Sequence, residues 1–291
     1  MPKLIIEAGR TERQYWRDLW RYRELFAFLA WRDLLIRYKQ TAVGVAWALL
    51  RPALTMLVLT LVMFMTDSSG DGGPRPLFVF CAILPWQFFS TAMSESGTSL
   101  ITNSNLISKV YFPRLVVPAS SVITSFVDFL IAFAFMVLLM AVYRFLPPIN
   151  VLALPIFMLL TFGASFGVGL WIAALMVKYR DFRFVVPFVV QFGLYVAPVF
   201  AWTKRIPDKI PNKWPWLHVL SPAVLDWVNP KFLYSLNPVV GIIDGFRWCL
   251  LGGRNELYWP GQIASLIGVV VLIVTGLWYF RKTERSFADI I

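Results

Sequence analysis

The run AVGVAWALLRPALTMLVLTLVMFM, residues 42–65, holds a single charge, Arg51. A bilayer core is crossed by about 20 consecutive apolar residues in a helix, so this run is long enough to span. Nine Lys or Arg residues fall within the first 42 positions, which sets a basic surface directly against the apolar run. Five further stretches of like character follow at 77–97, 115–143, 149–177, 184–202 and 262–280. The expected fold is therefore an all-α membrane protein. It has six transmembrane helices in one transmembrane domain over residues 1–291. Composition agrees: 58% of the 291 residues are hydrophobic and 15% charged, mean hydropathy is +0.67, and a soluble domain would carry about 25% charge. A seventh apolar run, residues 238–251, contains Asp244 and Arg247. It is too short to span and reads as a re-entrant or interfacial helix.

Basic residues in short loops set orientation. After the basic N-terminal region, the first connector has Arg75, the second Lys109 and Arg114, the third Arg144, and the fourth Lys178, Arg180 and Arg183; the tail has Arg281, Lys282 and Arg285. Rich and poor loops alternate, so both termini are expected in the cytoplasm and the long loop at 203–260 outside. The net charge of +11 then belongs to an anionic inner-leaflet surface rather than to nucleic-acid binding.

Residues 11–38 read as one amphipathic helix in the cytoplasmic interface. Trp16, Leu19, Trp20, Ala27, Ala30, Trp31, Leu34 and Tyr38 share a face, with Arg21 and Arg32 opposite. Residues 103–109 (Asn103, Ser104, Asn105, Leu106, Ile107, Ser108, Lys109) form a short polar helix, capped by Asn103 or Ser104 and ended by Pro113. The outer loop is broken by Pro207, Pro211, Pro215, Pro222, Pro230 and Pro238 and studded with tryptophans, which favours short helices against the outer leaflet.

Several chemistries lack their parts. His218 is the single histidine, and Cys81 and Cys249 lie in apolar contexts without metal-ligand spacing. No catalytic or metal site is read. No G-x-x-x-x-G-K-[ST] occurs, so this chain has no phosphate-cradling loop. No two acidic residues are adjacent or one apart, which argues against a nucleotide-sugar site and so against a membrane-embedded polyprenol glycosyltransferase. Two ionisable residues stand well inside spans: Arg51, about 13 Å from the start of span one, and Asp128, about 20 Å into span three, at 1.5 Å per residue. A charge at that depth needs a polar partner or water, so each is expected to have one, with the other as a candidate. In span five, Phe184, Phe188, Gln191, Phe192, Tyr195 and Trp202 fall within an arc of about 100°. Sugar rings stack on aromatics and bond amides, so this stripe fits a glycan channel. It fits helix packing or lipid contact as well.

Four segments together resemble the permeases of the ABC type 2 transporter family, in its polysaccharide-export branch. They are LIRYKQTAVGVAW (35–47) running on to LRP (50–52), VYFPRLVVP (110–118) with SFVDF (125–129), NPVVGIIDGFR (237–247), and FRKTERSFADI (280–290). That branch includes O-antigen, capsular polysaccharide and teichoic-acid exporters. The resemblance implies a homodimer docked on two ATP-binding cassette subunits, with ATP and Mg held by those partners and no cofactor on this chain. It implies that 103–109 is the coupling helix, 11–38 the interface helix and 203–260 the outer gate, all in the cell inner membrane among its lipids. The implied cargo is a polyprenyl-diphosphate-linked glycan, with Arg37, Lys39, Lys109 and Arg114 as candidates for the diphosphate entrance. The stretch 218–232 is longer than that branch's usual outer loop. The alternative within the same family is a permease for lipids or small hydrophobic molecules.

Overall fold

The structure is a computed structural model that describes residues 12–39, 46–65, 73–199, 229–252, 257–284 and 287. Among these residues every regular element is helical. In chain order they are α1 (Glu12–Arg21), α2 (Arg23–Lys39), α3 (Ala46–Met65), α4 (Arg75–Thr102), α5 (Ser104–Lys109), α6 (Val116–Val142), a 3-10 turn (Ile149–Ala153), α7 (Leu154–Lys178), α8 (Phe182–Val196), α9 (Pro230–Ser235), α10 (Pro238–Leu251) and α11 (Trp259–Glu284).

Five helices are long and apolar enough to cross a membrane: α3, α4, α6, α7 with its leading turn, and α11. The fifth expected span, 184–202, is different. Its helix α8 has 15 residues, about 22 Å at 1.5 Å per residue. Ala197 is already extended, with ψ 147°, because the residue before Pro198 is pushed out of the helical region. Trp202 and the rest of the outer loop up to 228 lie outside the described residues.

α4 is the hub. It packs against α6, α7, α10 and α3, and all but one of Leu77–Phe89 are buried on it. Rings from three helices, α4, α6 and α7, interlock here: Phe88 lies 5.5 Å from Phe126 and 5.3 Å from Phe129, and Phe126 lies 5.6 Å from Phe162. α7 and α11 meet at bare backbone. A Cβ on Gly276 would stand 2.5 Å from the Gly167 carbonyl oxygen, and one on Gly167 would stand 2.7 Å from the Leu272 carbonyl carbon. Small residues of this kind let membrane helices approach closely.

α9 and α10 start alike. Asn229 accepts from the backbone N–H groups of Lys231 and Phe232, and Asn237 accepts from that of Val239. Each Asn is followed by a proline at the first turn, where no donor is lost. The 14-residue α10 is buried almost throughout, including Asp244 and the fully buried Arg247. The Arg247 guanidinium sits 3.8 Å from the centre of the Phe78 ring and donates to the Val199 carbonyl at 2.6 Å. This pins α10 to the chain just beyond α8.

The N-terminal helix is nearly continuous. Tyr22 marks a turn between α1 and α2, yet Tyr22 N–H bonds Asp18 and Phe26 N–H bonds Tyr22. The face that packs on the rest of the protein differs from the tryptophan face. Leu29 and Ala30 are buried, with Tyr15, Leu19, Tyr22, Leu25 and Phe26 against the same cluster, whereas Trp16, Trp20 and Trp31 are exposed. Tyr15, Leu19, Tyr22, Phe26 and Leu29 recur at alternating steps of four and three, which is the stripe that fits a neighbouring protein surface. The tryptophan face was read first because Trp weighs heavily in any apolar pattern.

Candidate functional site

Among the described residues, a strongly polar surface runs along α4. Gln87, Thr91 and Glu95 form one row at intervals of four, and Ser90, Ser94, Thr98 and Thr102 form the next. Three cavities open on these rows. One, of about 350 Å³, is lined by Arg37, Tyr38, Trp47, Arg51, Gln87, Thr91, Glu95, Ser125 and Asp128. A second, of about 400 Å³, lies between α3, α4 and α8 and is lined by Arg51, Thr55, Gln87, Ser90, Thr91, Ser94, Glu95, Gln191 and Tyr195. The third, of about 560 Å³ beneath α2, includes Arg32, Arg37, Glu95, Thr98, Thr102, Asn103 and Thr124. Glu95 lines all three, so they form one groove.

Arg37 organises the charge. It pairs with Glu95 at 2.5 Å and with Asp128, and the Tyr38 hydroxyl donates to the other Asp128 oxygen. Ser125 donates to Glu95 at 2.8 Å. The three charged side chains keep only 22–31% of their surface. Burial by itself would push the Arg37 guanidinium down, but Glu95 and then Asp128 outweigh it and hold it above its ordinary value. Burial, followed by the bond to Asp128, raises the Tyr38 phenol. This network ties α2 to α4 and α6.

The expected partner of Asp128 is thereby corrected. Arg51 lines the same cavity, but Asp128 is held by Arg37 and Tyr38. Arg37 lies ahead of the first span in sequence, and α2 folding back against α6 brings its guanidinium to Asp128. Ser121, Thr124 and Ser125 share the Asp128 face and are buried, as that face requires.

The four cations proposed for phosphate differ in circumstance. Lys39 and Lys109 are exposed at the ends of α2 and α5. Arg37 is engaged as described. Arg114 donates its backbone N–H to Glu284 Oε1 at 2.9 Å and its guanidinium to the Glu284 carbonyl, closing the loop before α6 onto the end of α11. In α5, the helix expected at 103–109 is present. Asn103 stands at its start without capping it: its amide donates to Ser99, and its oxygen accepts from Arg32 at 2.8 Å. α2 thus grips the α4–α5 junction as well as the spans.

The aromatic stripe lies on α8. Phe184, Phe188, Phe192 and Tyr195 are exposed in the single chain, with Phe188 and Phe192 rings 4.2 Å apart. Gln191 and Tyr195 reach the groove; the three phenylalanines do not line it. Among the described residues no three His, Cys, Asp or Glu converge on a metal site.

Glu95 and the α4 rows were not singled out from the sequence. Their signal is there, as polar residues at 87, 90, 91, 94, 95, 98 and 102. A hydropathy scan averages that helical stripe away.

Comparison with known proteins follows the same outline. The model of the ABC-2 type transporter family matches residues 24–225. An O-antigen export system permease protein from Myxococcus xanthus is 30% identical over 274 residues, covering 94% of this chain and 97% of that protein. A permease of the same description from Klebsiella pneumoniae is 25% identical over 275 residues, covering 92% and 95%.

Proposed function

Because this chain belongs to the ABC-2 type transporter family, we propose that it is the membrane subunit of an ATP-driven exporter of lipid-linked polysaccharide, of the O-antigen kind. The observation that carries this reading is the groove: hydroxyls, amides and paired charges at spanning depth in an otherwise apolar chain. A polar wall suits a polar cargo, because a buried polar surface needs hydrogen-bonding partners. A permease for lipids or small hydrophobic molecules calls for an aliphatic slit instead. The full-length similarity to two O-antigen export permeases points the same way.

In this reading residues 1–291 form one permease domain in the cell inner membrane, with both termini cytoplasmic. α8 serves as the sixth membrane-embedded helix beside the five long spans. Two copies face each other across their grooves. Two ATP-binding cassette subunits below supply ATP hydrolysis with Mg. α1 and α2 are the interface helix, α5 the coupling helix, and α9 and α10 the re-entrant outer gate. Exposed Lys39 and Lys109 meet the carrier diphosphate at the inner side, where cations engage phosphate. Phe184, Phe188, Phe192, Tyr195 and Trp202 form an aromatic wall once the second copy is in place.

The test is the purified complex of this chain with its ATPase, in nanodiscs. ATP hydrolysis rises when polyprenyl-diphosphate-linked glycan is added and stays at the basal rate with phospholipid alone. Equal stimulation by a phospholipid or a small hydrophobic solute refutes the glycan reading.

A further inference from the structure

The hydroxyls of the Ser90, Ser94, Thr98 and Thr102 row have already spent their protons. Ser90 donates to the Gln87 carbonyl, Ser94 to Ser90, Thr98 to Ser94 and Glu95, and Thr102 to Thr98. On the facing helices Thr55 donates to Arg51 and Thr124 to Ser120. A hydroxyl has one donor and two lone pairs, so a side chain bonded back to its own helix offers the cavity acceptors alone. Glu95 and Asp128, as carboxylates, also only accept. The hydroxyl row is therefore one-sided in its hydrogen bonding: it seeks donors.

Spacing adds a second constraint. Ser90, Ser94, Thr98 and Thr102 stand four residues apart, about 6 Å per step and about 18 Å in all. Lipid does not explain this face, because the row shares its two cavities with Arg32, Arg37, Arg51 and Glu95. A phosphate, with acceptors only, finds no partner among these hydroxyls. A chain bearing many hydroxyls does, at each step.

We propose that the Ser90–Ser94–Thr98–Thr102 row is a binding track for the sugar hydroxyls of the cargo, separate from the aromatic stripe of α8. It rests on the export reading above and deepens it. Each rung accepts one proton weakly, so a polyol shifts from rung to rung without a deep trap. The track selects for hydroxylated chain and against the anionic carrier group, which is left to the cations at the groove's edge.

The test is made in a strain lacking its own copy of this chain, complemented with the full exporter. Surface polysaccharide is measured at equal membrane abundance of the protein. The variant Ser94→Ala/Thr98→Val/Thr102→Val removes three acceptors while keeping shape. At about two- to threefold per lost hydrogen bond, surface polysaccharide falls about tenfold. The exchange Ser94→Thr/Thr98→Ser/Thr102→Ser retains every acceptor and retains export. A matched variant in buried hydroxyls that line none of the three cavities, Ser120→Ala/Thr161→Val/Ser165→Ala, also retains it. Wild-type export by the first variant, or loss of export in the exchange variant, overturns the track while leaving the export reading standing. Failure of the wild-type chain to restore any surface polysaccharide overturns the export reading itself.

Discussion

Arg37→Ala strands two carboxylates on the groove, and its cost follows from the geometry. The guanidinium serves Glu95 at 2.5 Å and Asp128. A hydrogen bond to a charged group is worth about 1.5–3 kcal/mol. All three side chains keep some solvent, 22–31% of their surface, so water recovers part of that; halving it leaves about 2–3 kcal/mol for the pair. Most of the loss is the penalty on the carboxylates left behind rather than the worth of the ion pairs. Neutralising them therefore restores stability: Arg37→Met with Glu95→Gln and Asp128→Asn recovers most of what Arg37→Ala loses. The assay is thermal unfolding of the purified chain in detergent, arranged as a double-mutant cycle between Arg37 and Asp128, with a coupling energy of about 1–2 kcal/mol. Trypsin cleavage within α2 reports the same event, because the network is what ties that helix to α4 and α6. The reasoning fails if Arg37→Ala melts like the wild type, or if adding Asp128→Asn to it brings no recovery.

Three further outcomes follow from other contacts. Gly276→Ala places a methyl against the Gly167 carbonyl, which is backbone and cannot rotate away; it costs about 1–3 kcal/mol in a thermal melt, whereas Gly268→Ala, with 3.5 Å to Pro238, is tolerated. Arg247→Met removes the guanidinium from Phe78 and Val199 and leaves Asp244 buried without its neighbouring cation; it destabilises by about 3–5 kcal/mol, read as a lower melting temperature. The Tyr38 phenol is raised above its ordinary 10.0, so its contribution is fully present below pH 10.0 and is lost as the pH rises past that value. Protection of α2 against trypsin is accordingly flat between about pH 7 and 9 and falls beyond.

The long apolar runs were legible because hydropathy over about 20 residues is a one-dimensional quantity. Spans at 115–143 and 149–177 appear as Val116–Val142 and Ile149–Lys178, and the short helix at 104–109 appears where polar residues and Pro113 put it. The C-terminal end of α4 ran past the expected limit, because serines and threonines that bond their own helix extend it without apolar character. The site was less legible. Arg37 reads as a loose basic residue until α2 folds back on Asp128, 91 positions away. Arg114 likewise meets Glu284 only in three dimensions. Charge counts report the side of the membrane, not the partner.

Among the five candidate spans, α4, which carries the hydroxyl row, is the most deeply buried, while the opposite banks of the groove are lightly held. α8 buries Val186 alone, and α3 buries four residues. Displacing either bank disturbs few core residues, Val186 on α8 and Leu59 and Met63 on α3, so compliance is concentrated on one side. Widening for a passing sugar then falls to α3 and α8 as slats, and the rungs on α4 hold their register throughout.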